Sequence, residues 1–162
     1  MKDLLDKISS YNLFNYLLPG ILFVVILGKL TPYSLVQDSL VVGVFVYYFI
    51  GLVVSRLGSL IIEPAFKRVG FVKFADYSKY VSAAKVDPKL DLLSENNNMY
   101  RTFAGLFLAL LMLKVYESLT LKLGILQGRG SLVLVVVLLV MFVFAYRKQT
   151  AYITKRIAAT KL

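Results

Sequence analysis

Apolar residues along this chain fall into four long blocks rather than short alternating runs. The first covers about residues 13–30 and is interrupted at Pro19-Gly20. The second covers about 39–62. The third, about 102–123, carries Lys114, Glu117 and Lys122 in its outer half, and the fourth, about 131–146, is wholly uncharged. A hydrocarbon core about 30 Å thick takes about 20 helical residues to cross, and each block approaches that length. Tyr146 followed by Arg147-Lys148 makes a sharp interfacial stop. The pattern predicts a single all-α membrane domain of four transmembrane helices.

Between blocks two and three, residues 63–101 form the one sizeable region outside the bilayer, too long for a structureless connection. Phe74, Tyr77, Val81 and Ala84 recur at spacings of three and four and predict a short amphipathic helix. Asp87-Pro88 reads as an N-cap followed by proline at the first helical position, opening a helix that runs through Ser94-Glu95-Asn96 into span three. At the N-terminus, Leu4, Leu5 and Ile8 share a face that suits an interfacial helix. Charges of both signs at residues 1–7 do not suit a cleavable signal peptide.

Composition sharpens this picture. Of 162 residues, 59% are apolar and 17% charged, a clear departure from the roughly 45–50% apolar and about 25% charged of soluble domains. The net charge of +10 therefore belongs to the flanks of a membrane protein, since a water-soluble nucleic-acid domain would not carry such uncharged stretches. His and Cys are absent, which excludes thiol nucleophiles, disulfides, imidazole bases and the metal sites built on those ligands. The carboxylates form no recognisable dyad and no phosphate-binding glycine loop occurs, so a non-enzymatic protein without cofactors is expected.

Basic residues orient the spans. Fourteen of the nineteen fall in the N-terminus, the middle loop and the C-terminal tail at 147–162, and four fall on the opposite side. Both termini and the loop are therefore expected in the cytoplasm, leaving Arg56 inside the membrane.

Arg56 lies about two turns inside span two, where a charge costs roughly 2.5–3.5 kcal/mol at the bilayer centre. Either it snorkels to the headgroups, or it faces the bundle interior and pairs with a carboxylate. Glu63, seven residues on, is the nearest within the chain; a neighbouring subunit's would serve equally. Gly51, Ser55 and Ser59 form a small-residue row at intervals of four that suits close helix packing, with a shorter version at Gly105 and Ala109. Lys114 and Glu117, three apart, suit an outer ion pair or the wall of a polar cavity. In the loop, Phe66, Phe71, Phe74, Tyr77 and Tyr80 alternate with Lys67, Arg68, Lys73 and Lys79. Aromatics among cations can stack on nucleic acid, but directly after a span they fit anionic lipid at the cytoplasmic face better. Arg147, Lys148, Lys155 and Arg156 extend that surface for lipid or a soluble protein partner.

The segments flanking the loop, Ser55-Arg56-Leu57-Gly58-Ser59-Leu60-Ile61-Ile62-Glu63-Pro64 and Leu93-Ser94-Glu95-Asn96-Asn97-Asn98-Met99-Tyr100-Arg101-Thr102, together with four short spans, resemble small inner-membrane subunits of bacterial phage-defence operons. Among such subunits they resemble the membrane subunit of the Kiwa system. That resemblance implies a homo-oligomeric component that detects infection at the envelope beside a cytoplasmic, DNA-binding partner. The expectation is thus an oligomeric sensor or anchor in the bacterial inner membrane that recruits a soluble partner. The competing expectation, from Arg56, Lys114 and Glu117, is a small channel or pore-forming effector that depolarises the membrane.

Overall fold

A computed structural model of the chain describes residues 10–123 and 128–160, and among these all regular structure is helical. The element suggested by Leu4, Leu5 and Ile8 lies outside the described residues. We number the helices α1 (residues 10–30), α2 (Leu40–Arg68), α3 (Tyr77–Ala84), α4 (Lys89–Leu123) and α5 (Gly130–Thr160). All except α3 are long and apolar enough to cross a membrane, which suits a multi-pass membrane protein.

Capping side chains fix where several of these helices begin. The Ser39 hydroxyl accepts from the Val42 N–H at 3.4 Å to open α2. Asp76 does the same for α3, accepting from Ser78 N–H at 2.9 Å and Lys79 N–H at 3.3 Å, while Asp87 accepts from Lys89 N–H at 3.0 Å ahead of α4. Helix α4 continues unbroken from the expected cap into the third apolar block. Helix α5 likewise runs past Tyr146 through the basic tail without a break.

Prolines leave a second local signature. Residues 13–17 of α1 and 58–62 of α2 form wide π turns, and Pro19 and Pro64 each follow six residues after the turn begins. A proline removes one backbone donor and its ring crowds the carbonyl four residues back. The wide turn relieves this: the Leu18 N–H bonds to the Leu13 carbonyl and the Glu63 N–H to the Gly58 carbonyl, five residues back in each case.

Helices α1, α2 and α4 make the packed centre. Phe23, Val24 and Leu27 meet Val54, Leu106 and Leu110, with Ala109 among the flanking side chains. Glycine makes the two crossings possible. A Cβ on Gly51 would lie 1.7 Å from the Tyr16 carbonyl oxygen, and one on Gly20 equally close to that of Tyr47, so α1 and α2 touch backbone to backbone. Gly105 sits against Val54 and Gly58 in the same way, joining α4 to α2. Helix α5 packs on the other flank of α2, where the Phe49 and Phe142 rings stack at 6.1 Å, and its outer half from Leu132 to Val143 is largely exposed.

Candidate functional site

Polar groups inside the three-helix centre satisfy one another. Thr102 on α4, fully buried, lies 3.0 Å from Asn15 Oδ1 on α1, 3.1 Å from Ser55 Oγ on α2 and 2.9 Å from the Asn98 carbonyl of its own preceding turn. The hydroxyl has one proton to donate and lone pairs to accept, so Ser55 completes it as a donor. The Asn15 amide then donates to the Tyr11 hydroxyl at 3.0 Å. Asn15 points into this network from the π turn ahead of Pro19.

About two turns beyond, at the end of α2 rich in basic residues, Glu63 is 5% exposed and surrounded by cations from three helices. Its Oε1 accepts from Lys67 Nζ at 3.0 Å, Lys148 Nζ at 3.3 Å and the Tyr152 hydroxyl at 3.4 Å. Its Oε2 accepts from Arg101 on α4. Lys148 also donates to the Ser59 hydroxyl at 2.8 Å, so one side chain of α5 holds two residues of α2. Lys67 lies 4.0 Å from the centre of the Phe74 ring, a cation–π contact that draws in the segment ahead of α3. The Tyr77 and Tyr152 rings, 6.5 Å apart, link α3 to α5. A cavity of about 810 Å³ opens beside this cluster, between α2, the 74–78 segment and α5.

Charge is unbalanced at this point. One carboxylate meets three cations whose side chains are 42% (Lys67), 18% (Arg101) and 24% (Lys148) exposed, and Lys155 adds another on the cavity wall. Asp76, the second acid on that wall, is committed to α3: hydrogen bonds from the Ser78 hydroxyl and from the Lys79 and Ser78 N–H groups hold its carboxyl below the usual aspartate range. Among the described residues no cluster of three acidic side chains is placed to hold a metal ion. The groups lining the cavity carry one net positive charge.

Family models, curated proteins and solved structures were all compared with the chain, and none matches. The geometry therefore carries the argument alone.

It corrects three sequence-based expectations. Arg56 does not pair with Glu63, whose oxygens face Lys67, Arg101 and Lys148; the guanidinium instead lies 3.5 Å from the Tyr16 hydroxyl of α1, and its buried Nε has no protein partner. The row Gly51, Ser55, Ser59 does not make one interface. Each step of four residues advances about 40° around a helix, so Gly51 meets α1, Ser55 bonds Thr102 of α4, and Ser59 bonds Lys148 of α5. Lys148, grouped with surface cations, is turned inward by Glu63 and Ser59.

Elsewhere Lys114 and Glu117 form an ion pair at 2.8 Å, and Lys114 also caps α1 through the Leu30 carbonyl at 2.9 Å. Arg68, Lys73, Lys79, Arg147, Lys155 and Arg156 are exposed. Sequence reasoning missed Asn15, Thr102, Arg101 and Tyr152 as members of these networks, and Gly20 and Gly58 as crossing points. A proline, Pro19 or Pro64, standing two residues after each wide turn was the available signal.

Proposed function

We propose that this protein is a non-catalytic, homo-oligomeric anchor subunit of the bacterial inner membrane, with both termini and the 63–101 loop in the cytoplasm, and that its basic end recruits a soluble protein partner. One observation carries the reading. Glu63 ties α2, α4 and α5 together at the end where the basic residues collect, so Lys73, Lys79, Arg147 and Lys155 stand on a braced platform rather than on loose tails. The mutual satisfaction of Asn15, Ser55 and Thr102 supports an anchor over a channel, because those polar groups are spent within the packed centre. The sequence resemblance adds a role in sensing phage infection as part of an antiviral complex.

Site-specific photo-crosslinking in cells tests the recruitment. A benzophenone amino acid replacing Lys73, Arg147 or Lys155 is expected to trap one discrete soluble protein, whereas replacement of Leu132 at the far end of α5 traps lipid or a second copy of the chain. Basic-end adducts containing only lipid or the chain itself would overturn the proposal. The chain has no cysteine, so single-cysteine labelling reads its orientation cleanly: an impermeant maleimide is expected to reach Arg129→Cys and not Lys85→Cys. The defence role fails if the protein and its neighbouring genes leave phage plating unchanged.

A further inference from the structure

Of all the surfaces and cavities of the chain, the one beside Glu63 combines space, excess positive charge and an apolar wall. Both Glu63 oxygens are already engaged, Oε1 by Lys67, Lys148 and Tyr152, and Oε2 by Arg101. One carboxylate among three cations leaves the Glu63 cluster with two positive charges in excess. The remaining acid, Asp76, spends Oδ1 on the Ser78 hydroxyl and on the N–H groups that open α3. Lys155 then raises the imbalance. With Lys67, Lys148 and Lys155 against Glu63 and Asp76, the lining leaves one positive charge that protein groups do not neutralise. An anion from outside the chain would.

The cavity also limits what kind of anion fits. Its volume of about 810 Å³ far exceeds that of a simple inorganic ion. Pro64, Phe74, Ala151, Ala158 and Ala159 line the same cavity, Phe74 directly against Lys67, so an occupant meets carbon beside the charges. Tyr77 and Tyr152 add amphipathic rings to the same lining. Lys148 spends its three N–H groups on the Ser59 carbonyl and hydroxyl and on Glu63, while Lys67 and Lys155 present point charges on flexible stems that suit the oxygens of a phosphate group.

We propose that this cavity binds a phosphate ester, with Lys67 and Lys155 holding the phosphate and Phe74 and the alanines receiving the adjoining carbons. Two sources share that chemistry: the headgroup of an anionic phospholipid entering from the bilayer edge, and a soluble phosphate ester entering from water. The proposal does not depend on a protein partner. Its test uses the purified full chain, so failure here would leave the recruitment reading standing.

Thermal melting and native mass spectrometry of the chain in neutral detergent separate the possibilities. One arm adds phosphatidylglycerol against phosphatidylcholine; the other adds glycerol 3-phosphate against sodium chloride at matched ionic strength. The variants are Lys67→Gln, Lys155→Gln and their double. Lys155 lies outside the Glu63 ion pairs, so its variant is expected to fold, which circular dichroism checks. Lys122→Gln, at the other end of α4, is the control. At least one phosphate compound is expected to raise the melting temperature and remain bound, with about tenfold weaker binding for each lysine removed, the loss of one charge-assisted contact. A response confined to phosphatidylglycerol assigns a lipid headgroup, and one confined to glycerol 3-phosphate assigns a soluble ester. No preference over the uncharged or chloride control in either arm would overturn the proposal. So would a double variant, or Lys155→Gln alone, that binds as the unaltered chain does while Lys122→Gln matches it.

Discussion

Replacing Glu63 by glutamine tests whether the basic end is held together by one carboxylate. The change keeps the side-chain shape and one acceptor oxygen but removes the negative charge that Lys67, Arg101 and Lys148 contact. Breaking a buried ion pair by removing one partner costs about 3–5 kcal/mol, because the other charge is left uncompensated. Lys67 is 42% exposed and water screens its share, so we reduce the expectation to about 2–4 kcal/mol. At about 2–4 °C per kcal/mol for a chain of this length, the melting temperature in detergent falls by roughly 4–16 °C. Lys148→Met provides the internal comparison. It removes one of three like charges, relieving repulsion while losing the Ser59 contact, and is expected to cost about 1 kcal/mol. The inequality matters more than either value. A Glu63→Gln protein that melts at or above the temperature of Lys148→Met would refute the idea that the carboxylate organises this end.

Three further outcomes follow from the packing. Gly51→Ala places a Cβ against the Tyr16 carbonyl and is expected to cost about 2–3 kcal/mol by overpacking; Gly28→Ala, with nothing within 4 Å of the new Cβ, is expected to be neutral or mildly stabilising in the same melting assay. Thr102→Val keeps the volume but strips the hydroxyl from Asn15 and Ser55, for a loss of about 1–2 kcal/mol, whereas Thr102→Ser is expected to melt close to the unaltered chain. Asp76 is held below the usual aspartate range by Ser78 and by the N–H groups of Lys79 and Ser78, so its contribution to α3 is complete above about pH 4 and is lost as acid protonates it. Protection of the Ser78 and Lys79 amides, measured against their intrinsic exchange rates at each pH, is accordingly expected to fall on acidification below that point and to be low already at neutral pH in Asp76→Ala. Exchange that is equally slow in that variant would count against the cap.

The four apolar blocks were legible because a span requires an uninterrupted apolar run, and no tertiary contact can supply that in its place. The start of α4 was legible for a related reason, since Asp87-Pro88 carries its own capping chemistry within three residues. The Glu63 cluster was not. Its members come from residues 63, 67, 101, 148 and 152, and nothing periodic relates Glu63 to a lysine eighty-five positions away. Arg56 misled for the opposite reason: it shares a helical face with Glu63 on a regular helix, but the π turn at residues 58–62 inserts extra backbone between them and shifts that face.

The two π turns bear on more than register. Each lies just ahead of a proline, and each delivers a buried polar residue to a junction of three helices: Asn15 to Ser55 and Thr102, and Glu63 to Arg101 and Lys148. A regular helix would keep the residues after the turn about 100° away from their present direction, the rotation that one extra residue adds. Prolines 19 and 64 therefore act at a distance of one to four residues, setting where the polar groups point rather than only bending the axis. Pro64→Ala removes the reason for the wide turn while leaving every member of the Glu63 cluster in the chain. If α2 then regains regular winding, the carboxylate turns away from Arg101 and Lys148. The basic end would loosen without loss of a single charge, separating the geometric contribution from the electrostatic one.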